Sequence, residues 1–211
     1  MKNLIIIGAR GFGREVYNIA KESKGYNSEF VIKGFLDDKK DVLDDYIGYP
    51  SILNSVENYE VRENDVFICA LGDVNYKKYY SDLILSKGGE FISIVHSTAY
   101  ISPMSKIGKG CIVSRFVSVS CDVTIGDFVT LSTHSGIGHD TKIGNYCHIG
   151  GYTNISGFVK IEDNVIIHPQ CNITPHKKIH NNAIVGTSSV VVGNVKSGIT
   201  VYGNPAKKIE F

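Results

Sequence analysis

From residue 95 onward the chain places an aliphatic side chain at every sixth position. Val95, Ile101, Ile107, Val113, Val119, Ile125, Leu131, Ile137 and Ile143 begin the series. Ile149, Ile155, Ile161, Ile167, Ile173, Ile179, Val185 and Val191 continue it, so that all seventeen positions are Ile, Val or Leu. Two residues before these positions lies a second column, small or β-branched from Cys111 to Cys171, among them Val117, Val123, Val129, Ser135, Thr141, Cys147 and Thr153. Glycine often follows the aliphatic position, as at Gly108, Gly126, Gly138, Gly144, Gly150 and Gly186. A six-residue repeat of this kind predicts a parallel β-helix, each hexad supplying one short strand and one corner. Three hexads close a triangular coil, and successive coils stack at about 4.8 Å. Residues eighteen apart are therefore expected to be neighbours. The aliphatic column is the expected core, and the glycines are expected to supply corner conformations closed to other residues.

Residues 1–94 follow a different rule. Leu4–Ile7 reads as a buried strand, followed by Gly8-Ala-Arg-Gly11-Phe-Gly13 and a helix-like stretch from Arg14 to about Lys24. Val31–Leu36 and Val66–Leu71 are further strands, ending in Asp37-Asp38 and Gly72-Asp73. A helix rich in Tyr and Lys and a strand at Phe91–Val95 complete the pattern. Strands alternating with helices predict a small parallel, Rossmann-like α/β sheet. The chain thus reads as two domains, 1–94 and 95–211.

Composition removes several function classes. A net charge of +1 leaves no electrostatic footprint for nucleic acid, and no basic amphipathic helix addresses a membrane surface. No run of eighteen apolar residues spans a bilayer. The apolar run at Leu4–Ile7 is too short for a signal peptide. Five cysteines without a CxxC pair argue against a disulfide framework or a zinc knuckle. A cytoplasmic, reduced protein is the expectation.

The repeat resembles that of the left-handed β-helix acyltransferases. The likeness extends through Ile5-Ile-Ile-Gly8-Ala-Arg-Gly11-Phe-Gly13, Gly34-Phe-Leu-Asp37-Asp38, Ala70-Leu-Gly72-Asp73, Val95-His-Ser-Thr-Ala-Tyr-Ile-Ser-Pro103 and Gly203-Asn-Pro-Ala-Lys207. Together these motifs are similar to sugar O/N-acetyltransferases, which include sialic-acid O-acetyltransferases and nucleotide-linked 4-amino-sugar N-acetyltransferases. The resemblance implies the left hand of the coil and a homotrimer. It implies acetyl-CoA in a groove between neighbouring β-helices, with no metal, and a nucleotide-sugar held by the amino-terminal domain. It also implies a catalytic His followed by an acidic residue, here His139-Asp140; many relatives carry Glu at the second position. His148 and Gly157 fall where the family contacts acetyl-CoA. Gly186 and Lys207, near the carboxyl end, join this candidate coenzyme set.

Stacking sharpens the view of His139. Eighteen residues on lies Gly157, whose lack of a side chain lets a thioester approach and whose N–H is placed to steady an oxyanion. His139 is the candidate general base, its tautomer set by Asp140. Eighteen residues back lies Cys121, which raises an acyl-cysteine route, though a small residue filling a turn is the simpler reading. A γ-carbonic-anhydrase-like zinc site is a rival, because His134 and His139 are five residues apart. Its third ligand would fall near Thr98, with His96 two residues off the column. A non-catalytic β-helix scaffold is a third reading.

In the first domain, Gly11 and Gly13 open a helix where N–H groups and the helix dipole suit a phosphate. Asp37, Asp38 and Asp73 end parallel strands, the edge at which such sheets bind ligands. Plain turn-forming Gly and Asp residues are the simpler account of the same positions. The preferred acceptor is the amine of a nucleotide-activated amino sugar. A sialic-acid hydroxyl is the alternative, and uracil or guanine as the base is left open.

Overall fold

The computed structural model describes residues 1–209. Its internal contacts divide the chain into a first unit, Met1–Ser97, and a second from Thr98 onward. The boundary follows Ser97 because the Ser97 N–H donates to Glu22 O at 3.1 Å and His96 Nε2 meets Glu22 Oε2 at 2.7 Å.

In the first unit the order is β1 (Lys2–Ile7), α1 (Gly11–Lys21), β2 (Phe30–Leu36), β3 (Ile52–Asn54), β4 (Asp65–Cys69), α2 (Val74–Ser86) and β5 (Glu90–Phe91). The sheet runs β3-β2-β1-β4-β5 with every pairing parallel. β1 and β4 lie inside the sheet and are covered on both faces. Their apolar runs are therefore buried throughout rather than at alternate positions. α1 turns Val16, Ile19 and Ala20 inward. Asp73 caps α2 by accepting from the Asn75 and Tyr76 N–H groups. The sequence reading missed β3, an edge strand of three residues that is too short to show a period. α1 begins at Gly11, so the second half of the glycine motif, 11–13, is already helix.

The second unit is a parallel β-helix. Its first face carries the strands at 130–131, 148–149, 166–167 and 184–185, and its second those at 136–137, 154–155 and 172–173. The third carries 124–125, 142–143, 160–161 and 178–179. Each of these registers pairs residues eighteen apart, as in Ile143↔Ile161↔Ile179, and only the closing coil shortens the step, pairing Ile184 with Thr200. From Val113 to Val191 each aliphatic position is at most 3% exposed, and each contributes about 2 kcal/mol over leaving it in water. Ile101 and Ile107 are only half-buried, because a first coil has a stacked neighbour on one side alone. The small column two residues earlier is also buried, and its polar members find acceptors. Thr141 Oγ1 donates to Ser156 O at 3.0 Å and the Cys147 thiol to Glu162 O at 3.0 Å. These cysteines fill the core and satisfy a carbonyl at once.

The glycines play a different part from the one expected. None of Gly108, Gly126, Gly138, Gly144, Gly150 and Gly186 has a positive φ. The left-handed conformation is taken every six residues by non-glycine residues, from Phe116 (φ 58) through Asp140 (φ 59) to Ser188 (φ 59). That conformation costs about 1–2 kcal/mol per residue, offset here by hydrogen bonds such as Phe158 N–H to His139 O at 3.0 Å. The glycines are needed for closeness instead. A Cβ on Gly144 would lie 2.8 Å from Glu162 C and 2.9 Å from Asp163 N in the next coil. Gly144→Ala is accordingly expected to cost about 1–3 kcal/mol. Asn164→Gly, at a left-handed position (φ 58), should be nearly neutral. Chemical denaturation of both variants measures the contrast, and equal destabilisation would contradict it.

Candidate active site

His139 and Asp140 occupy the corner between the second and third faces. Because Asp140 is in the left-handed region, its carboxylate turns back on its neighbour, and Oδ2 lies 2.8 Å from His139 Nδ1. With the Nδ1 proton donated to the carboxylate, Nε2 is left as a bare acceptor on a ring 52% open to solvent. A Cβ added to Gly157 would come within 2.8 Å of both Cε1 and Nε2. Only glycine lets the imidazole lie where it does. The ring of Phe158 meets His139 edge to face, with centroids 5.1 Å apart and planes at 89°.

This corner differs from the one between the third and first faces. There each backbone N–H is taken by an Asx side chain one coil on: Asp127 N–H donates to Asn145, Asn145 N–H to Asp163, and Asp163 N–H to Asn181, at 2.7–2.9 Å. At the His139 corner the corresponding residues are Cys121, His139, Gly157 and Pro175. Gly157 and Pro175 have no acceptor in their side chains. The same ladder is thus absent beside His139 and Gly157, which suits their N–H groups to an outside acceptor.

His148, Gly186 and Lys207 do not join this corner. His148 points outward from the first face, in register with Thr130 and Ile166. Gly186 follows the strand at 184–185 on that face, and the Tyr202 ring lies 2.5 Å from where its Cβ would be. Lys207 is exposed on the short antiparallel pair that closes the coil. In a triangular prism the first face lies opposite the corner that holds His139. His134 is at another corner, its ring stacked on Tyr152 and tilted against Phe116, both at 4.8 Å, with Nδ1 3.0 Å from Thr133 Oγ1.

The first unit holds a cleft of about 490 Å³ at the carboxyl ends of β1, β2 and β4. Its place between β1 and β4 is the switch point of the sheet, where successive crossovers run to opposite sides. Gly13, Asp37, Asp38 and Asp73 line it; Gly11 does not. Gly13 serves packing, since a Cβ there would collide with Gly8 O. Asp37 is committed to the backbone, accepting from the Ala9 N–H at 2.9 Å and the Lys39 N–H at 3.1 Å. Asp38 accepts from Tyr80 Oη at 2.8 Å. Burial and that carboxylate push the Tyr80 phenol well above its ordinary range, which keeps it a donor.

Two family models match the chain. The PglD N-terminal domain covers residues 3–83, and the bacterial transferase hexapeptide (six repeats) covers 140–175. A GDP-perosamine N-acetyltransferase of Escherichia coli O157:H7 is 30% identical over 97% of this chain and 95% of its own. The chain belongs to the hexapeptide-repeat sugar N-acetyltransferases. Among solved members of the fold, the acetyltransferase domain of PglB from Neisseria gonorrhoeae FA1090 is 25% identical, with a TM-score of 0.89 over 99% of this chain and 100% of that one. PerB from Caulobacter crescentus, solved with CoA and GDP-perosamine, superposes with a TM-score of 0.89 at 22% identity, covering 100% of this chain and 98% of that one.

For this acetyltransferase, the sequence reading missed Arg10, Tyr76 and Tyr80 on the cleft wall. Arg10 stood inside the glycine motif. The two tyrosines lie four apart on α2 and so share a helix face, a spacing that a helix rich in Tyr and Lys hides. A first test concerns Gly157. Gly157→Ala is expected to keep the folded stability within about 1 kcal/mol while lowering turnover roughly tenfold or more, by displacing the imidazole. Steady-state rates beside thermal melts separate the two effects.

Proposed function

We propose that this sugar N-acetyltransferase transfers the acetyl group of acetyl-CoA to the amine of a GDP-linked amino sugar, with His139 as general base. The carrying observation is the 2.8 Å contact of His139 Nδ1 with Asp140, which leaves Nε2 over the bare Gly157 backbone. The nucleotide is taken as GDP because the E. coli relative, alike over nearly its whole length, is a GDP-perosamine N-acetyltransferase. The switch-point cleft of the first unit is the nucleotide's place in this reading. Asp38 and Tyr80 on its wall suit hydroxyl and N–H groups, and Arg10 suits a phosphate.

The chemistry then balances without a metal or a covalent enzyme intermediate. The neutral amine attacks the thioester carbonyl carbon while His139 Nε2 takes its proton. The Gly157 N–H supports the oxyanion. Asp140 stabilises the imidazolium so formed. As the carbonyl reforms the C–S bond breaks, and the imidazolium returns its proton to the leaving thiolate. An O-acetyltransferase acting on a sialic-acid hydroxyl uses the same machinery and is the second reading.

Acetyl-CoA meets two chains in this proposal. The catalytic pair is at one corner, whereas His148 and Gly186 lie on the opposite face, so one ligand reaches both sets only between neighbouring β-helices. Half-buried Ile166 and Ile184, outward residues on the first face, suit it to a neighbouring subunit. A homotrimer closes such a head-to-tail contact.

Release of CoA thiol across GDP- and UDP-linked amino sugars and free sialic acid tests the acceptor. GDP-amino sugars should respond and His139→Ala should lower the response about a hundredfold or more, to a small residual rate; turnover of sialic acid alone would replace the preferred acceptor. Co-refolded His139→Ala and His148→Ala chains test the shared site. Each variant should keep only a small residual rate alone, and a random equal mixture should recover roughly a quarter of wild-type activity, because only sites with both intact halves work fully. No recovery would place the whole site within one chain.

A further inference from the structure

One hydrogen bond does not hold an imidazole that is half open to water. The Nδ1 contact with Asp140 leaves the ring free to swing about that bond, and Gly157 offers no side chain to stop it. Phe158 supplies the missing restraint. It sits one coil after Asp140, with the same left-handed backbone (φ 58), and its N–H donates to His139 O at 3.0 Å. The backbone of Phe158 is thus tied to the residue whose ring it touches.

Its own ring is held in turn. His176, eighteen residues on, stacks against Phe158 with centroids 4.9 Å apart and planes at 7°. Other corners also carry aromatic columns, Phe116–His134–Tyr152 and Phe128–Tyr146, in which rings meet partners eighteen apart. Phe158 also meets His139, nineteen residues back and outside its own column. An edge-to-face pair of this kind adds to burial, enough to favour one ring orientation several-fold. Core packing does not account for Phe158, which is 49% exposed.

We infer that Phe158 is the positioning residue of the base: it holds the His139 imidazole over Gly157 with Nδ1 on Asp140, and His176 braces it from behind. The inference rests on His139 being the base. It assigns Phe158 no contact with either substrate, so its loss should appear in kcat and not in KM.

The test is a kinetic comparison of Phe158→Ala, Phe158→Tyr and His176→Ala, each also made in a His139→Ala background, using acetyl-CoA and a GDP-linked amino sugar. Phe158→Ala should lower kcat roughly tenfold, with KM for both substrates within about twofold and an unchanged melting temperature. Phe158→Tyr keeps the ring and should stay within about twofold of wild type. His176→Ala should fall between the two. In the His139→Ala background, Phe158→Ala should cause no further loss, since the ring it positions is gone. An equal loss in both backgrounds, a loss carried by KM, or an undiminished kcat each overturns the assignment. Full activity of His139→Ala itself would instead remove the base, an outcome read from that single variant before Phe158 is touched.

Discussion

Amides of each coil donate to carbonyls of the next: Gly138 to Ile155 at 2.7 Å, Gly144 to Ile161 at 2.8 Å, Gly150 to Ile167 at 2.7 Å. These bonds, with aliphatic side chains filling the prism they enclose, set the eighteen-residue period on which the second unit depends. A side chain's neighbours are then decided by its place in the coil. Coils must also approach closely at the corners, and the glycines after the aliphatic positions are there for that reason. The turning is done by residues with side chains, at a conformational cost that the inter-coil hydrogen bonds offset.

The three corners are built alike and used differently. One is closed by an Asx ladder that consumes its own backbone N–H groups, and a second carries the Phe116–His134–Tyr152 stack. The third has Gly157 and Pro175 where the first has Asx side chains, so the ladder is absent there. Its left-handed residue is Asp140, and the conformation required for the turn also aims the carboxylate at His139. The His139–Asp140 contact follows from a backbone constraint shared by every coil.

The first unit obeys another rule, that of an open parallel sheet with its cleft at the switch point. Two adjacent aspartates at the end of β2 diverge there. Asp37 secures the β1–α1 loop through the Ala9 N–H, while Asp38 stands on the cleft wall beside Tyr80. Neighbours in sequence thus face a loop backbone and a cleft-wall tyrosine separately.

The sequence alone determined what repeats. Seventeen aliphatic positions six apart define a β-helix, because every inward position obeys the same packing demand. The eighteen-residue rule by itself brings Gly157 to His139. The alternation of strands and helices likewise located the parallel sheet and the loops at its carboxyl edge. What only the tertiary structure decided is where individual side chains point. No period marks β3, Tyr80 or Arg10, because each depends on contacts made once. The part played by the corner glycines was misread for a related reason: a glycine needed for close approach and one needed for a positive φ look identical in sequence. Phe158 reaches His139 across columns, nineteen residues apart, and only the packed corner brings the two rings together.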